Sequence, residues 1–271
     1  MDAERLSSYF KETPVVPFSS LPTALMVGNA FLAEGTNLNS EAIFRNVEIY
    51  EIPGWQRGKN KLVKIPYPGM PYVVLSAKYG REVRGIVKDL RVKSGNKGKF
   101  PNQVSLDIAL KDKVVNVMIF GESMKVAGAQ KVEHLLEAFV FIKAMILALQ
   151  RKFEAQGIPQ QLFAKPITLV KLAVCMENVV FDLGFRIRKD ALKEKAVESG
   201  AFCPPEVTND AVRVLYSMGE EKSKGGERYF NFRVMHTGKV VYSGKNRQSM
   251  EPIYYKFMEF IKAHESEVRF V

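Results

Sequence analysis

In the stretch Tyr229–Gly244, YFNFRVMHTGKVVYSG, Asn231, Arg233 and Met235 alternate with Phe230, Phe232 and Val234. Period two is the pattern of a strand with one buried face. The second face then carries a carboxamide, a guanidinium and a thioether. That mixture is poor as a solvated surface and suits contact with another molecule. Val115–Gly128, VNVMIFGESMKVAG, repeats it: Val115, Val117 and Ile119 point inward, and Asn116, Met118 and Phe120 outward. Asn116 lies where Asn231 lies, and Phe120 where Met235 lies. Ordinary core packing is the plainer reading of Phe120, and a solvated cation that of Arg233.

Each hairpin feeds a helix. After Ser243-Gly244 the apolar residues Ile253, Phe257, Phe260 and Ile261 fall on one helical face; after Gly128, Val132, Leu135, Leu136, Phe139 and Ile142 do the same. Further forward, Asn29–Ile43 lies on Asn178–Leu192 without a gap, each reading as strand, glycine turn and helix start. The chain is thus an internal repeat of strand, helix, antiparallel strands and long helix, an α+β pattern whose strands bury one face under the helices. The expected divisions are an arm over 1–19, a first repeat over 20–155 and a second over 160–271. The copies are offset by 149 residues at the front and 115 at the back, so the first carries about 34 more.

The excess falls in a basic insertion at about 52–99. Arg57, Lys59, Lys61, Lys64, Lys78, Arg81, Arg84, Lys88, Arg91, Lys93, Lys97 and Lys99 face only Glu82 and Asp89, placing +10 of the chain's +11 net charge there. Such a concentration points to a polyanion, most often nucleic acid; a solvated face is the bland alternative. Trp55, Tyr67, Tyr72 and Tyr79 among these cations could stack on bases, or form a small core of the insertion.

Enzyme chemistry has little support. His134, His236 and His264 have no metal-ligand spacing with Cys175, Cys203 or one another, and no glycine loop precedes a helix to cradle phosphate. No cofactor is expected. The two cysteines make no disulfide framework and fit a reduced, intracellular compartment. No apolar run reaches bilayer length, and the N-terminus lacks an export pattern, so no membrane partner is expected.

The last hairpin, Val234-Met235-His236-Thr237-Gly238-Lys239-Val240-Val241-Tyr242-Ser243-Gly244, resembles that of the TATA-box-binding protein family. Ile119-Phe120 with Val126-Ala127-Gly128 resembles the first-repeat copy, Phe185–Leu192 the run into the first helix, and Phe100-Pro101-Asn102 the stirrup. The resemblance covers about residues 20–50 and 100–271, through short motifs made specific by order and duplication. It implies a two-repeat saddle with helices on the convex face, and a concave face on the minor groove of A·T-rich promoter DNA. Wedging side chains would bend the duplex. Phe120 would be one wedge, Phe100 its companion and Met235 a softer second-half wedge. Asn29, Asn178, Asn116, Asn231, Arg233 and Ser243 would line the groove. Ser243 stands where the family has Thr, and Ala127 loses that hydroxyl in the other repeat. The insertion has no counterpart in the family core and is expected beside one stirrup.

The resemblance further implies a general transcription initiation factor that recruits a TFIIB-like factor and RNA polymerase, with Glu206 in a loop as an acidic contact. Nucleus or viral replication site would be its location, a virally encoded member being one reading of departures this large. The alternative is a protein-interaction module that binds nucleic acid only non-specifically, through the basic insertion.

Overall fold

The computed structural model describes residues 15–53, 67–85, 102–200, 203–208, 210–217 and 229–270. The chain is α+β, with extensive antiparallel sheet and few helices. It divides into an N-terminal unit, Leu25–Cys175, and a C-terminal unit formed by Met176 onward together with the residues up to Ala24.

The N-terminal unit contains β1 (Thr23–Leu32, which begins just before it), α1 (Ser40–Asn46), β2 (Val73–Tyr79), β3 (Glu82–Gly85), β4 (Val104–Ala109), β5 (Val114–Ile119), β6 (Ser123–Ala129) and α2 (Val132–Ala155). Its strands run β3-β2-β4-β5-β6-β1 across the sheet. Asn39 starts α1, its Oδ1 accepting the Ala42 N–H at 3.0 Å and so satisfying one orphan amide. The helix ends at Asn46, because Val47 turns extended and is buried. Gly28 on β1 lets α2 sit close: a Cβ there would lie 2.4 Å from a Leu135 methyl. The core is mostly aliphatic, with Val104, Leu106, Val117, Ile119, Leu135 and Ile142 at its centre.

The C-terminal unit takes the second half of β7 (Leu169–Asp182), then α3 (Lys189–Glu198), β8 (Cys203–Val207), β9 (Ala211–Ser217), β10 (Tyr229–Met235), β11 (Lys239–Gly244), α4 (Arg247–Ala263) and α5 (Glu265–Val268). Its strands run β7-β11-β10-β9-β8. Here the core is aromatic. Phe232 is stacked between Tyr242 and Phe257, with centroids 4.0 and 4.1 Å apart.

One expectation changes: the arm over 1–19 is not an arm throughout, since Phe18, with Leu21 just beyond it, is buried in the C-terminal unit's core, where Phe18 finds Tyr242 and Tyr254 to pack against. Within the expected insertion the described residues form β2 and β3, with β2 paired to β3 on one side and to β4 on the other. Glu177 is a buried carboxylate, 3% exposed. Its carboxylate accepts from Arg247 Nε at 2.9 Å and Thr23 Oγ1 at 2.5 Å, while the guanidinium also donates to the Phe18 and Leu21 carbonyls. That clamp ties the N-terminal segment to the start of α4.

Candidate nucleic-acid interface

Because side chains alternate along a strand, cross-strand pairing sorts the helix-free face of each sheet into rows. In the C-terminal unit one row reads Asn178, Ser243, Asn231, Leu215. The next reads Val180, Val241, Arg233, Arg213, and Met235 lies opposite Ala211 at the strand ends. Ser243 therefore stands between two asparagines. The Oδ1 atoms of Asn178 and Asn231 are both buried with no hydrogen-bond partner among the described residues. An unpaired buried acceptor costs about 1–3 kcal/mol, so the row is polar and its two carboxamide oxygens are unsatisfied. Burial of the oxygen leaves the NH2 as the donor group each carboxamide offers a ligand on this face.

In the N-terminal unit the rows are Asn29, Lys125, Met118, Ser105, Lys78 and then Val27, Ala127, Asn116, Asp107, Ser76. Asn116 is committed within the sheet. Its Nδ2 donates to Ser105 Oγ at 3.0 Å and Asp107 Oδ1 at 3.1 Å, and Ser76 Oγ donates to Asp107 Oδ2 at 2.7 Å. A carboxylate thus sits in the middle of this face, nearly buried. Nothing in the sequence flagged Asp107 beyond its alternation with Leu106 and Ile108.

Asn29 and Asn178, aligned in sequence, do not occupy equivalent rows. Ala127, one residue before the helix-leading glycine as Ser243 is, pairs with Val27, two residues short of Asn29, in a register that runs unbroken from Val27 to Phe31. Asn29 instead pairs with Lys125, and its Oδ1 lies 4.0 Å from the Cys175 thiol, which also lies 3.4 Å from the Val27 carbonyl.

Phe120 follows β5 half-buried, outside the core, its amide donating to Ser123 O at 2.8 Å. Ser123 pairs on its other side with Phe31, 41% exposed on β1. Two rings therefore flank Ser123 at one end of this face. Phe31 was missed, although its period-two spacing from Asn29 would have found it. Phe100 lies outside the described residues. Met235 has no aromatic neighbour across the strand, since Ala211 faces it.

Of the twelve cations in the basic insertion, Arg57, Lys59, Lys61, Lys64, Lys88, Arg91, Lys93, Lys97 and Lys99 lie outside the described residues, as does Trp55. Lys78 and Arg81 are exposed, Lys78 on the helix-free face. Arg84 is not available as expected: it points to the helix side, donates to the Phe44 and Arg45 carbonyls that end α1, and lies 5.9 Å over the Phe44 ring. Arg233 pairs with Asp210 at 2.6 Å. A hydrogen bond from Thr208, together with the Arg233 charge, outweighs partial desolvation and holds the Asp210 carboxyl below its ordinary range. Glu206 lies on β8, opposite Arg213, and not in a loop. The sequence reading also missed a hollow where Arg186, Arg188, Lys189 and His236 converge at the end of β10.

Among the described residues no group of three or more His, Cys, Asp or Glu could hold a metal ion, and no helix is long and apolar enough to cross a membrane. Buried His134 has a structural place: its Nδ1 accepts the Gln130 N–H at 3.2 Å and its Nε2 faces Asp112 Oδ1 at 2.9 Å. No protein-family model matches the chain, and no curated protein matches it. The solved structure of the Methanococcus jannaschii TBP aligns with a TM-score of 0.48 and 16% identity, over 90% of this chain and 98% of that chain.

Proposed function

We propose that this protein binds double-stranded, A·T-rich promoter DNA in the minor groove through the helix-free faces of its sheets, as a TATA-box-binding-protein-like general initiation factor. In this reading the two units are repeats of one saddle, helices convex and sheet concave. The observation that carries it is the Asn178–Ser243–Asn231 row, in which two carboxamides with unpaired buried oxygens flank a hydroxyl. Donor groups on a strip of sheet complement a groove whose A·T pairs offer only acceptors. Phe120 and Phe31 are the wedges, both in the N-terminal unit, and Met235 is a soft counterpart, so the bend is asymmetric. Recruitment of a TFIIB-like factor and RNA polymerase, and action in the nucleus or at a viral replication site, belong to the same proposal.

The test is fluorescence energy transfer across an end-labelled TATA duplex, beside a G·C-rich one, at two salt concentrations. The reading expects bending of the TATA duplex alone, reduced by Phe120→Ala. A second reading is favoured by Asp107, whose carboxylate opposes a polyanion on the N-terminal unit's face: that face holds a protein, and DNA meets only the basic insertion. Salt-sensitive binding of both duplexes without bending would select it.

A further inference from the structure

We propose that the solvent face of α2 is a self-association surface on which a second copy of this chain packs its own α2 antiparallel, an inference independent of the DNA reading. Between Leu135 and Gln150 the only charged residues of α2 are Glu137 and Lys143. A helix so apolar on every side is normally enclosed. This one is not. Leu135, Ala138, Phe139, Ile142 and Ile146 bury one face in the N-terminal unit's core, yet Val132 is 44% exposed, Leu136 43% and Val140 62%, and Ala144 and Ala148 are exposed beyond them. The matching helix of the C-terminal unit, α4, is an internal control: its exposed positions include Glu251, Lys256, Glu259 and Lys262, an ordinary solvated face.

The order of residues along the face selects the occupant. It begins with Glu133, continues with the larger Leu136 and Val140 beside half-buried Glu137, then the small Ala144 and Ala148 beside half-buried Leu147, and ends with Arg151. A two-fold axis at Ile142 sets Val140 against Ala144 of the second copy, Leu136 against Ala148 and Glu133 against Arg151, each pair made twice. Large meets small, so the axes can approach at the near end of the usual 8–10 Å. Opposite charges close both ends. Parallel pairing would instead place Glu133 on Glu133 and Arg151 on Arg151. The 24-residue helix is about 36 Å long, at 1.5 Å per residue. An isologous contact needs this self-complementary reading of one surface; a foreign helix would not require the palindrome.

Sedimentation of the full chain over roughly a hundredfold range of concentration tests it, because a homodimer dissociates by mass action. A monomer–dimer equilibrium is expected, weakened about tenfold or more by Val140→Glu, which puts two carboxylates beside the axis. Position 140 is already exposed, so the variant should keep the parent's melting curve. Glu133→Arg and Arg151→Glu should each weaken the dimer, and the chain carrying both should regain it. A monomer at every concentration, a dimer indifferent to Val140→Glu, or a double swap that fails to rescue would each overturn the proposal. Duplex bending measured on the Val140→Glu variant keeps this outcome separate from that of the DNA reading, since α2 packs on the opposite face of its sheet from the rows.

Discussion

The helix-free faces of the two units are built on the same alternation and end in opposite polar states. On the N-terminal face, Asn116 gives its amide hydrogens to Ser105 and Asp107, and Ser76 serves the other carboxylate oxygen. On the C-terminal face, Asn231 and Asn178 bury oxygens that meet no donor among the described residues. One asparagine spends its hydrogen bonding on stability; the other two hold it unspent. A polar residue at a matching strand position therefore says little about binding until its neighbours are known, because one carboxylate across the ladder is enough to silence it. The aromatic residues divide the other way, with Phe31 and Phe120 on the N-terminal face and Met235 opposite Ala211 on the C-terminal one.

The largest effect expected is on the frame of the C-terminal unit. Glu177→Ala leaves the Arg247 guanidinium, Thr23 and two backbone carbonyls without their organising carboxylate, and should cost about 3–5 kcal/mol, as losing one partner of a buried pair does. Urea unfolding reads this directly; a change below about 1 kcal/mol would mean the clamp contributes little. Phe18→Ala removes a buried ring from the same unit and should cost a similar amount, about 3–5 kcal/mol.

Next come the paired asparagines, whose substitutions should separate the two faces. Asn116→Ala should lower stability by about 1–3 kcal/mol by stranding Asp107, and change DNA affinity by less than about twofold. Asn231→Ala should do the reverse, leaving stability unchanged or slightly raised while affinity for a TATA duplex falls about tenfold. Melting curves and titrations on the same two proteins check both halves; equal behaviour would dissolve the contrast. Asp107→Asn removes the opposing charge and should strengthen low-salt binding.

Alkaline pH should also distinguish the units. Burial pushes the Tyr254 hydroxyl up to about 12, with the neighbouring Tyr255 adding to it, and burial raises Tyr242 further still. A phenol whose folded pKa is raised contributes stability that is intact below its unfolded value, about 10, and declines as pH rises toward the folded one. The aromatic core should therefore loosen between about pH 10 and 12, with Tyr254 ionising in step with loss of near-ultraviolet dichroism. The smallest effect is expected from Asp210→Ala, which frees exposed Arg233 and should raise non-specific DNA binding only slightly, an increase that vanishes at high salt.

Which way each side chain of a strand points was determined by the sequence itself. Alternation around Asn116, Asn231, Phe232 and Val117 is a property of consecutive residues, and pleating fixes its consequence. The same holds for the helix following each glycine, whose apolar spacing repeats every turn, and for the charge gathered in the insertion. Tertiary structure alone decided what those side chains meet. The pairing of β1 with β6, which sets Val27 and not Asn29 opposite Ala127, put Asn29 out of the row that its sequence alignment to Asn178 implied. Asp107 became Asn116's partner only when β4 paired with β5, and Arg84 became a helix cap only when β3 reached the end of α1. Glu177 and Arg247 are 70 residues apart in the chain, and Thr23 is 154 from Glu177, so no local pattern could reveal that clamp. Orientation is written in neighbours along the chain, whereas satisfaction of a buried polar group depends on strands brought together from far apart.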